Sequence, residues 1–513
     1  LFRSCGKSTI ALYTNAYSLY LLSCMRSPHR EFGLDPSSEI MFIFQNLNMS
    51  LAKAVDYERF RALIDRAPYF QKHFPYNKDI KSQLEFPHRI IVKPVVGTVS
   101  GTIGQNVIGG LIDEVNFMEN VQKSKKSADG GSYDQADTLY NSMARRRESR
   151  FMSGGKLPGI LCLVSSKCYP GEFTDRKIEE AKTDPSIYVY DKRIWDVKPQ
   201  GTFSEETFEV FVGDLSRNPF IITEENGEEL YETDEHLIIQ VPIEFRKRFD
   251  QDILDALREI GGVALRSVRP FITDVTAIAD ASGKVRSALT LDEVDFSTQV
   301  LKIRPKRIKF PDEQRYVHID LGVTHDHCGV VMGCVPKFVE MDRGGGLIEK
   351  LPHIHIDFAI NIKPPKNGEI DFGKIRGLIY KLREIGVPLK WVSLDSFQSV
   401  DMIQRLKAKG FISGVLSMDK TITPYIFCKN ALLDRRVAMP EHEKLQKELR
   451  ELELNEEKAK VDPPPHGRKG LADALSGVIY GLTMRREIWF RHLQSAIEMH
   501  EFRKIYLVKP IKQ

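Results

Sequence analysis

Val107-Ile108-Gly109-Gly110-Leu111-Ile112-Asp113-Glu114 is an apolar run that ends in two acids. A strand buried on both faces of an α/β sheet reads as a near-continuous hydrophobic run. Two carboxylates at its carboxyl end suit a nucleotide-hydrolysing site, with Asp113 orienting a Mg²⁺ ion and Glu114 polarising the attacking water. A plain buried strand capped by solvated acids has the same pattern, so the reading turns on a phosphate-binding element elsewhere. Gly6-Lys7-Ser8-Thr9, opening a helical stretch, has the residues for one. Backbone N–H groups at a helix start cradle phosphates, Lys7 reaches the β/γ-phosphates and the Ser8 hydroxyl holds Mg²⁺. The full loop pattern asks for glycine five positions before Gly6, where Leu1 stands.

Further apolar runs lie on either side of the acidic strand. Ile40 to Phe44, Ile90 to Val96 and Ile160 to Val164 read as buried strands, and their alternation with longer mixed segments predicts a mostly parallel sheet covered by helices. The last of them runs into Ser165-Ser166, whose hydroxyls are candidates for sensing the γ-phosphate at the sheet edge. Arg145-Arg146-Arg147, with Arg150, forms a basic cluster that serves as an arginine finger, as a phosphate contact or as a solvated helix face, with no single finger singled out.

At 513 residues the chain exceeds one hydrophobic core and predicts at least two domains. Its 42% hydrophobic and 28% charged content excludes disordered and collagenous classes. A net charge of +4, from 74 basic and 70 acidic residues, leaves any DNA contact to local patches. The seven cysteines contain no C-x-x-C pair, so neither a zinc site nor a redox motif is indicated. Ile10 to Met25, broken by Asn15 and several Ser and Tyr residues, falls short of a membrane span. The start at Leu1, with the phosphate loop following at once, reads as truncated.

Residues 1–200 are expected to form the nucleotide domain, 201–311 a lid and connecting subdomain, 312–490 a second α/β domain and 491–513 a tail. A helix is expected across Gln251 to Ile260. Arg304 to Pro311 joins basic charge to two prolines, a linker signal. Beyond it, Tyr316 to Leu321, Gly329 to Met332, His353 to Phe358 and Trp391 to Leu394 read as strands, with a helix over Ile375 to Ile385 and a charged one over Glu441 to Lys460 whose charge run reads as a solvated face.

Asp320 sits in the strand His318-Ile319-Asp320-Leu321, where a buried acid needs a partner or a metal. Asp395 ends the strand Trp391-Val392-Ser393-Leu394, and Asp473 opens the apolar helix in Gly470-Leu471-Ala472-Asp473-Ala474-Leu475. Strand Asp, strand Asp and helix Asp is the arrangement by which ribonuclease H-like nucleases hold two Mg²⁺ or Mn²⁺ ions. Hard oxygen ligands favour those ions over zinc. His325, Asp326 and His327 read as a turn beside this cluster, Asp462 and His466 as outer supports, and His353 and His355 as ordinary sheet residues.

This order of motifs resembles the large terminase subunits of tailed bacteriophages over essentially the whole chain. In that family the phosphate loop often lacks the first glycine and carries an arginine three residues before Gly-Lys, where Arg3 stands. The resemblance implies a P-loop NTPase domain with a lid subdomain, followed by a ribonuclease H-like α/β nuclease domain. It assigns ATP with Mg²⁺ to Arg3, Gly6, Lys7, Ser8, Thr9 and Asp113, catalysis to Glu114, coupling of hydrolysis to movement to Ser165 and Ser166, and a two-metal nuclease to Asp320, Asp395 and Asp473. The stretch Leu433 to Pro440 and Gly470 to Ala474 also match, with Gly470 standing where many members carry a further Asp. It further implies double-stranded DNA as substrate, a small terminase subunit and a portal protein as partners, and a ring on the portal. Work in the host cytoplasm, transiently at the prohead, is implied too. A helicase-like ATPase would share only the first set of residues, a transposase or resolvase-type nuclease only the second, and a decayed prophage protein would act as a DNA-binding or assembly module.

Overall fold

The computed structural model describes residues 6–492, apart from 97–103, 122–132, 154, 168, 228–229, 266, 268, 322–326, 345–347, 366–367, 396–398, 419, 456–459 and 465–466. The chain divides into two compact units, 1–212 with 221–265 and 213–220 with 266–513.

In the first unit, helix α1 (Lys7–Ser23) is followed by strands β1 (Ile40–Asn46), β2 (Leu84–Phe86), β3 (Ile90–Val96) and β4 (Val107–Asp113), helix α2 (Gln135–Phe151) and strand β5 (Leu161–Val164). The sheet order is β2-β3-β1-β4-β5, parallel throughout except for β2. Alternate residues of β1 feed opposite cores. Ile40, Phe42 and Phe44 pack with Leu12, Leu19 and Phe60, whereas Met41 and Ile43 pack with Leu139 and Met143. Burial on both faces is why these strands read as unbroken apolar runs. Gly109 and Gly110 let β4 approach its neighbours: a Cβ at Gly110 would lie 2.0 Å from the Ile43 carbonyl oxygen, and one at Gly109 2.6 Å from that of Ile160. The same unit carries an antiparallel pair, β6 (Thr207–Phe211) with β7 (Ile238–Pro242), packed on Phe249 and Leu257. The helix expected over 251–260 starts at Ile253, where the Asp252 side chain accepts the Asp255 N–H and ends the preceding helix Arg246–Gln251.

In the second unit the elements are β8 (Arg315–Asp320), β9 (Cys328–Asp342), β10 (Ile348–Ile362), α3 (Phe372–Glu384), β11 (Leu389–Leu394), α4 (Val400–Ala408), β12 (Ser413–Val415), α5 (Thr423–Leu433), α6 (Glu443–Glu451) and α7 (Gly470–Met484). The central order is β10-β9-β8-β11-β12. The first three strands form an antiparallel meander, and β11 and β12 add in parallel to β8. That is the ribonuclease H-like α/β arrangement. Tyr316, Val331 and Ile356 pack with α5, α6 and α7 on one face, and Val317, Ile319 and Val330 pack with α3 and α4 on the other.

Three sequence expectations change. The helix over 441–460 stops at Glu451, because the Leu452 carbonyl accepts the Phe271 N–H and Glu453–Asn455 pairs with Lys460–Asp462 as a hairpin. Its charged face is not wholly solvated either, since Gln446, Glu448 and Glu451 are buried. The linker stretch 304–311 packs on the second unit: Arg304 N–H bonds the Ala288 carbonyl, and the buried Arg315 guanidinium donates to the carbonyls of Lys309, Phe310 and Glu313 while pairing with buried Asp357. Burial pushes the Asp357 carboxyl up to about 6 against that pairing. Among the described residues, no helix is long and apolar enough to cross a membrane.

Candidate nucleotide and metal sites

Gly6 adopts the left-handed conformation (φ 72°) and turns the chain into α1. The first-turn N–H groups of a helix precede its i→i−4 ladder, so this end of α1 presents donors and the positive end of the dipole. Lys7 Nζ donates to Ser166 Oγ at 3.0 Å, and Ser8 Oγ donates to Asp113 Oδ2 at 3.4 Å. The parallel register sets Asp113 beside Val164, so Ser165 and Ser166 leave the sheet next to the Asp113 carboxylate. Glu114 is left-handed (φ 53°), a conformation that costs a non-glycine residue about 1–3 kcal/mol. That turn folds its N–H back onto Asp113 Oδ1 at 2.9 Å. Asn116 then locks the strand ends together. Its N–H donates to Ser165 Oγ (3.1 Å), and its amide donates to the Ser166 carbonyl (3.0 Å) and Thr174 Oγ1 (2.8 Å). Thr9 accepts from Arg59 at 3.1 Å.

Asp56, fully buried, faces Asp113 and accepts from Asn46 at 2.9 Å. Burial, then the charge of Asp113, push its carboxyl up to about 8 against the Asn46 hydrogen bond.

In the second unit, Asp320 ends β8, Asp395 follows β11 with its N–H on the Ile319 carbonyl (3.1 Å), and Asp473 lies in the first turn of α7. One carboxylate oxygen from each lies within 4.8 Å of the others, and Asp395 and Asp473 are buried. At an effective dielectric of about 20, each ionised pair at such a distance repels by on the order of 3 kcal/mol. Charge of the opposite sign relieves it, and an all-oxygen set of this kind suits a hard divalent cation.

Helix α7 reaches the strand because its facing positions lack side chains. A Cβ at Gly470 would lie 3.1 Å from Asp320 Oδ2, and one at Gly477 2.4 Å from His318 Cγ. Around the cluster, the Tyr425 hydroxyl donates to Asp473 Oδ1. Lys469 Nζ lies 2.9 Å from Asp462 and 4.0 Å from Asp473. Buried Glu448 accepts the Leu471 and Ala472 N–H groups at 2.7 and 3.0 Å, capping the helix that carries Asp473. Burial pushes its carboxyl up to about 7 against those N–H groups.

Gly477→Ala sets two effects against each other. Alanine gains about 1 kcal/mol of helix propensity, and overpacking against a buried ring costs about 1–3 kcal/mol. Because the ring is fully buried, the clash wins, and a net loss of up to about 2 kcal/mol is expected in urea denaturation.

Buried His318 accepts or donates through Nδ1 to Ser393 Oγ at 2.8 Å, and burial drops its pKa from 6.5 to about 3. The unfolded chain binds this proton near pH 6.5 and the folded chain only near 3. Stability contributed by the neutral ring is therefore present above about pH 6.5 and falls below it, by up to about 1.4 kcal/mol per pH unit. Urea midpoints at about pH 7 and about pH 5, either side of the free imidazole's titration, should fall less in His318→Gln than in wild type; equal falls would remove His318 as the cause.

Against known protein families, residues 3–220 match the model described as "Uncharacterized protein MJ0330, N-terminal P-loop domain". This segment is a P-loop domain. No curated protein matches the chain. Solved structures similar to it include the large terminase of bacteriophage HK97, at 12% identity and a TM-score of 0.41 over 94% of this chain and 90% of that one. Another is the large terminase of a thermophilic bacteriophage, at 10% identity and a TM-score of 0.30 over 94% and 91%. The large terminase nuclease of thermophilic phage G20c with bound magnesium matches at 15% identity and a TM-score of 0.25 over 33% and 82%.

Within the P-loop domain, Gly6, Lys7, Ser8, Thr9, Asp113, Glu114, Ser165 and Ser166 come together, whereas Arg3 lies outside the described residues. Of the basic cluster on α2, Arg147 is a structural residue: it donates to the carbonyls of Ile108 (3.0 Å) and Gly159 (2.8 Å). Asp56, Asn46, Arg59 and Asn116 were not foreseen at this site, nor Tyr425, Glu448 and Lys469 at the other; an acid two residues before Asn116 was the one local signal. His327 bonds Asn361 at 3.1 Å and His355 packs near Asp357, while His325, Asp326 and His466 lie outside the described residues.

Proposed function

We propose that this chain is a terminase large subunit, an ATP-driven translocase of viral double-stranded DNA joined to a metal-dependent endonuclease that cuts concatemeric DNA. The observation that carries the reading is the coexistence in one chain of the Lys7–Ser8–Asp113 arrangement in the P-loop domain and the Asp320–Asp395–Asp473 cluster on a ribonuclease H-like sheet. Each set has rival readings; the pair in one chain is what a packaging motor with a built-in nuclease needs.

At the first site Lys7 binds the β/γ-phosphates, and Ser8 and Asp113 hold the Mg²⁺ that accompanies ATP. Glu114 takes the proton of the attacking water, and Arg3 contacts the phosphates. Ser165 and Ser166 pass the change at the γ-phosphate to the rest of the domain, a route that the Lys7–Ser166 bond supports. At the second site Asp320, Asp395 and Asp473 hold two Mg²⁺ or Mn²⁺ ions, which would activate water and stabilise the leaving oxygen of the scissile phosphate. Tyr425, Glu448 and Lys469 keep Asp473 and its helix in register with Asp320. The partners of this reading are double-stranded DNA, a small terminase subunit and a portal protein on which copies form a ring. The setting is the host cytoplasm, transiently at the prohead.

The test is two assays on the full chain: ATP hydrolysis with and without double-stranded DNA, and cleavage of supercoiled plasmid with Mg²⁺, Mn²⁺ or EDTA. DNA-stimulated hydrolysis together with metal-dependent cleavage is expected. A folded protein that hydrolyses ATP and cuts with neither metal would overturn the nuclease half, and the reverse pattern the motor half.

A further inference from the structure

Asp56 reaches the nucleotide site on an irregular piece of chain. Ala52–Tyr57 is a π-helical turn between the short helix Met49–Leu51 and the helix Glu58–Arg66. Such turns are inserted at a cost to helix geometry and recur at functional sites, where they redirect one or two side chains. Here the turn delivers Asp56, and the helix that follows it delivers Arg59. Asp56, with no solvent exposure, meets Asp113 and takes a 2.9 Å hydrogen bond from Asn46, the last residue of β1. Arg59 reaches Thr9 Oγ1 in the first turn of α1 at 3.1 Å. Asp56 Oδ1 is buried without a hydrogen-bond donor among the described residues, the Asn46 amide bonding the other oxygen. Burying a carboxyl against a second carboxyl is expensive, and an apolar residue would fill the space without that cost.

Asp113 is thereby gripped on three sides: Glu114 N–H on Oδ1, the Ser8 hydroxyl on Oδ2, and Asp56 from the interior. We propose that Asp56 is a positioning residue of the nucleotide site, holding the Asp113 carboxylate toward Ser8 and so setting how tightly the site takes the divalent cation that accompanies nucleotide. This inference rests on the reading of that site as a nucleotide site. Asn46 orients Asp56, and Arg59, in the helix that follows the turn, reaches Thr9 in the first turn of α1.

The experiment is Mg²⁺ titration of the binding of a fluorescent ATP analogue, mant-ATP, to the full chain and its Asp56→Ala, Asp56→Asn, Asn46→Ala and Lys7→Ala variants, each checked for folding by circular dichroism. Asp56→Ala should raise the Mg²⁺ concentration for half-maximal binding by about tenfold, the low end of what loss of a ligand-orienting partner costs. Asp56→Asn, which can still hydrogen-bond Asp113, should stay within about threefold of wild type, and Asn46→Ala should shift in the same direction as Asp56→Ala. An unchanged Mg²⁺ curve in folded Asp56→Ala overturns the proposal, as does Asp56→Asn shifting as far as Asp56→Ala. If Asp56→Ala does not fold, an unchanged curve in Asn46→Ala overturns it. Failure of the underlying reading looks different: wild type binds no mant-ATP, or Lys7→Ala binds as wild type does, and the proposal falls with it.

Discussion

Asp395→Ala is expected to abolish plasmid cleavage by the full chain in Mg²⁺ and in Mn²⁺, by on the order of 10³-fold, the loss that follows removal of one preorganised electrostatic partner of a transition state. The position explains the size. Asp395 is buried, its backbone is pinned by the Ile319 carbonyl, and its carboxylate lies within 4.8 Å of those of Asp320 and Asp473. Removing it relieves repulsion among the carboxylates as it removes the ligand. Folding stability should therefore hold or rise while cleavage disappears, a combination that a purely structural acid would not give. ATP hydrolysis should remain within about twofold of wild type, since each site is built within its own compact unit. Cleavage that survives in a folded Asp395→Ala protein would mean that the three carboxylates are structural.

How much of this was legible in the sequence depended on the range of the interactions. Strands of a parallel sheet keep contiguous apolar patterns, so buried Val107–Asp113 and half-buried Leu161–Val164 could be read directly, and with them the acids and serines at their ends. Asp320, Asp395 and Asp473 were conspicuous because each breaks or ends such a pattern. The outer halves of β9 and β10 were missed because Lys337, Glu340, Lys350 and their neighbours lie on a half-exposed ribbon with no apolar run. Over Glu441 to Lys460 the helical pattern is real up to Leu452, and a tertiary hydrogen bond from Phe271 ends it. Asp56 and Glu448 were invisible for a different reason. Each is an acid inside a helical pattern of charge, and only the fold shows that one is buried against Asp113 and the other against the first turn of α7.

Lys7→Ala is expected to reduce ATP hydrolysis by on the order of 10²–10³-fold while plasmid cleavage stays within about twofold of wild type, checked with both assays on one preparation. The argument is geometric and electrostatic. Lys7 is the first residue of α1, and its Nζ stands 3.0 Å from Ser166 Oγ, between the helix start and the strand end where the phosphates would sit. On the proposed reading it is the cation that meets charge developing on the β/γ-phosphates, where the helix dipole alone supplies about half a charge. Lys7→Arg should not restore activity, because the longer, planar guanidinium replaces a compact ammonium held 3.0 Å from Ser166 Oγ. If Lys7→Ala hydrolysed ATP normally, the phosphate-loop reading of Gly6-Lys7-Ser8-Thr9 would fail. The Ser8–Asp113 hydrogen bond would then be a helix-to-strand tie, and the chain would be a nuclease with an inert P-loop domain.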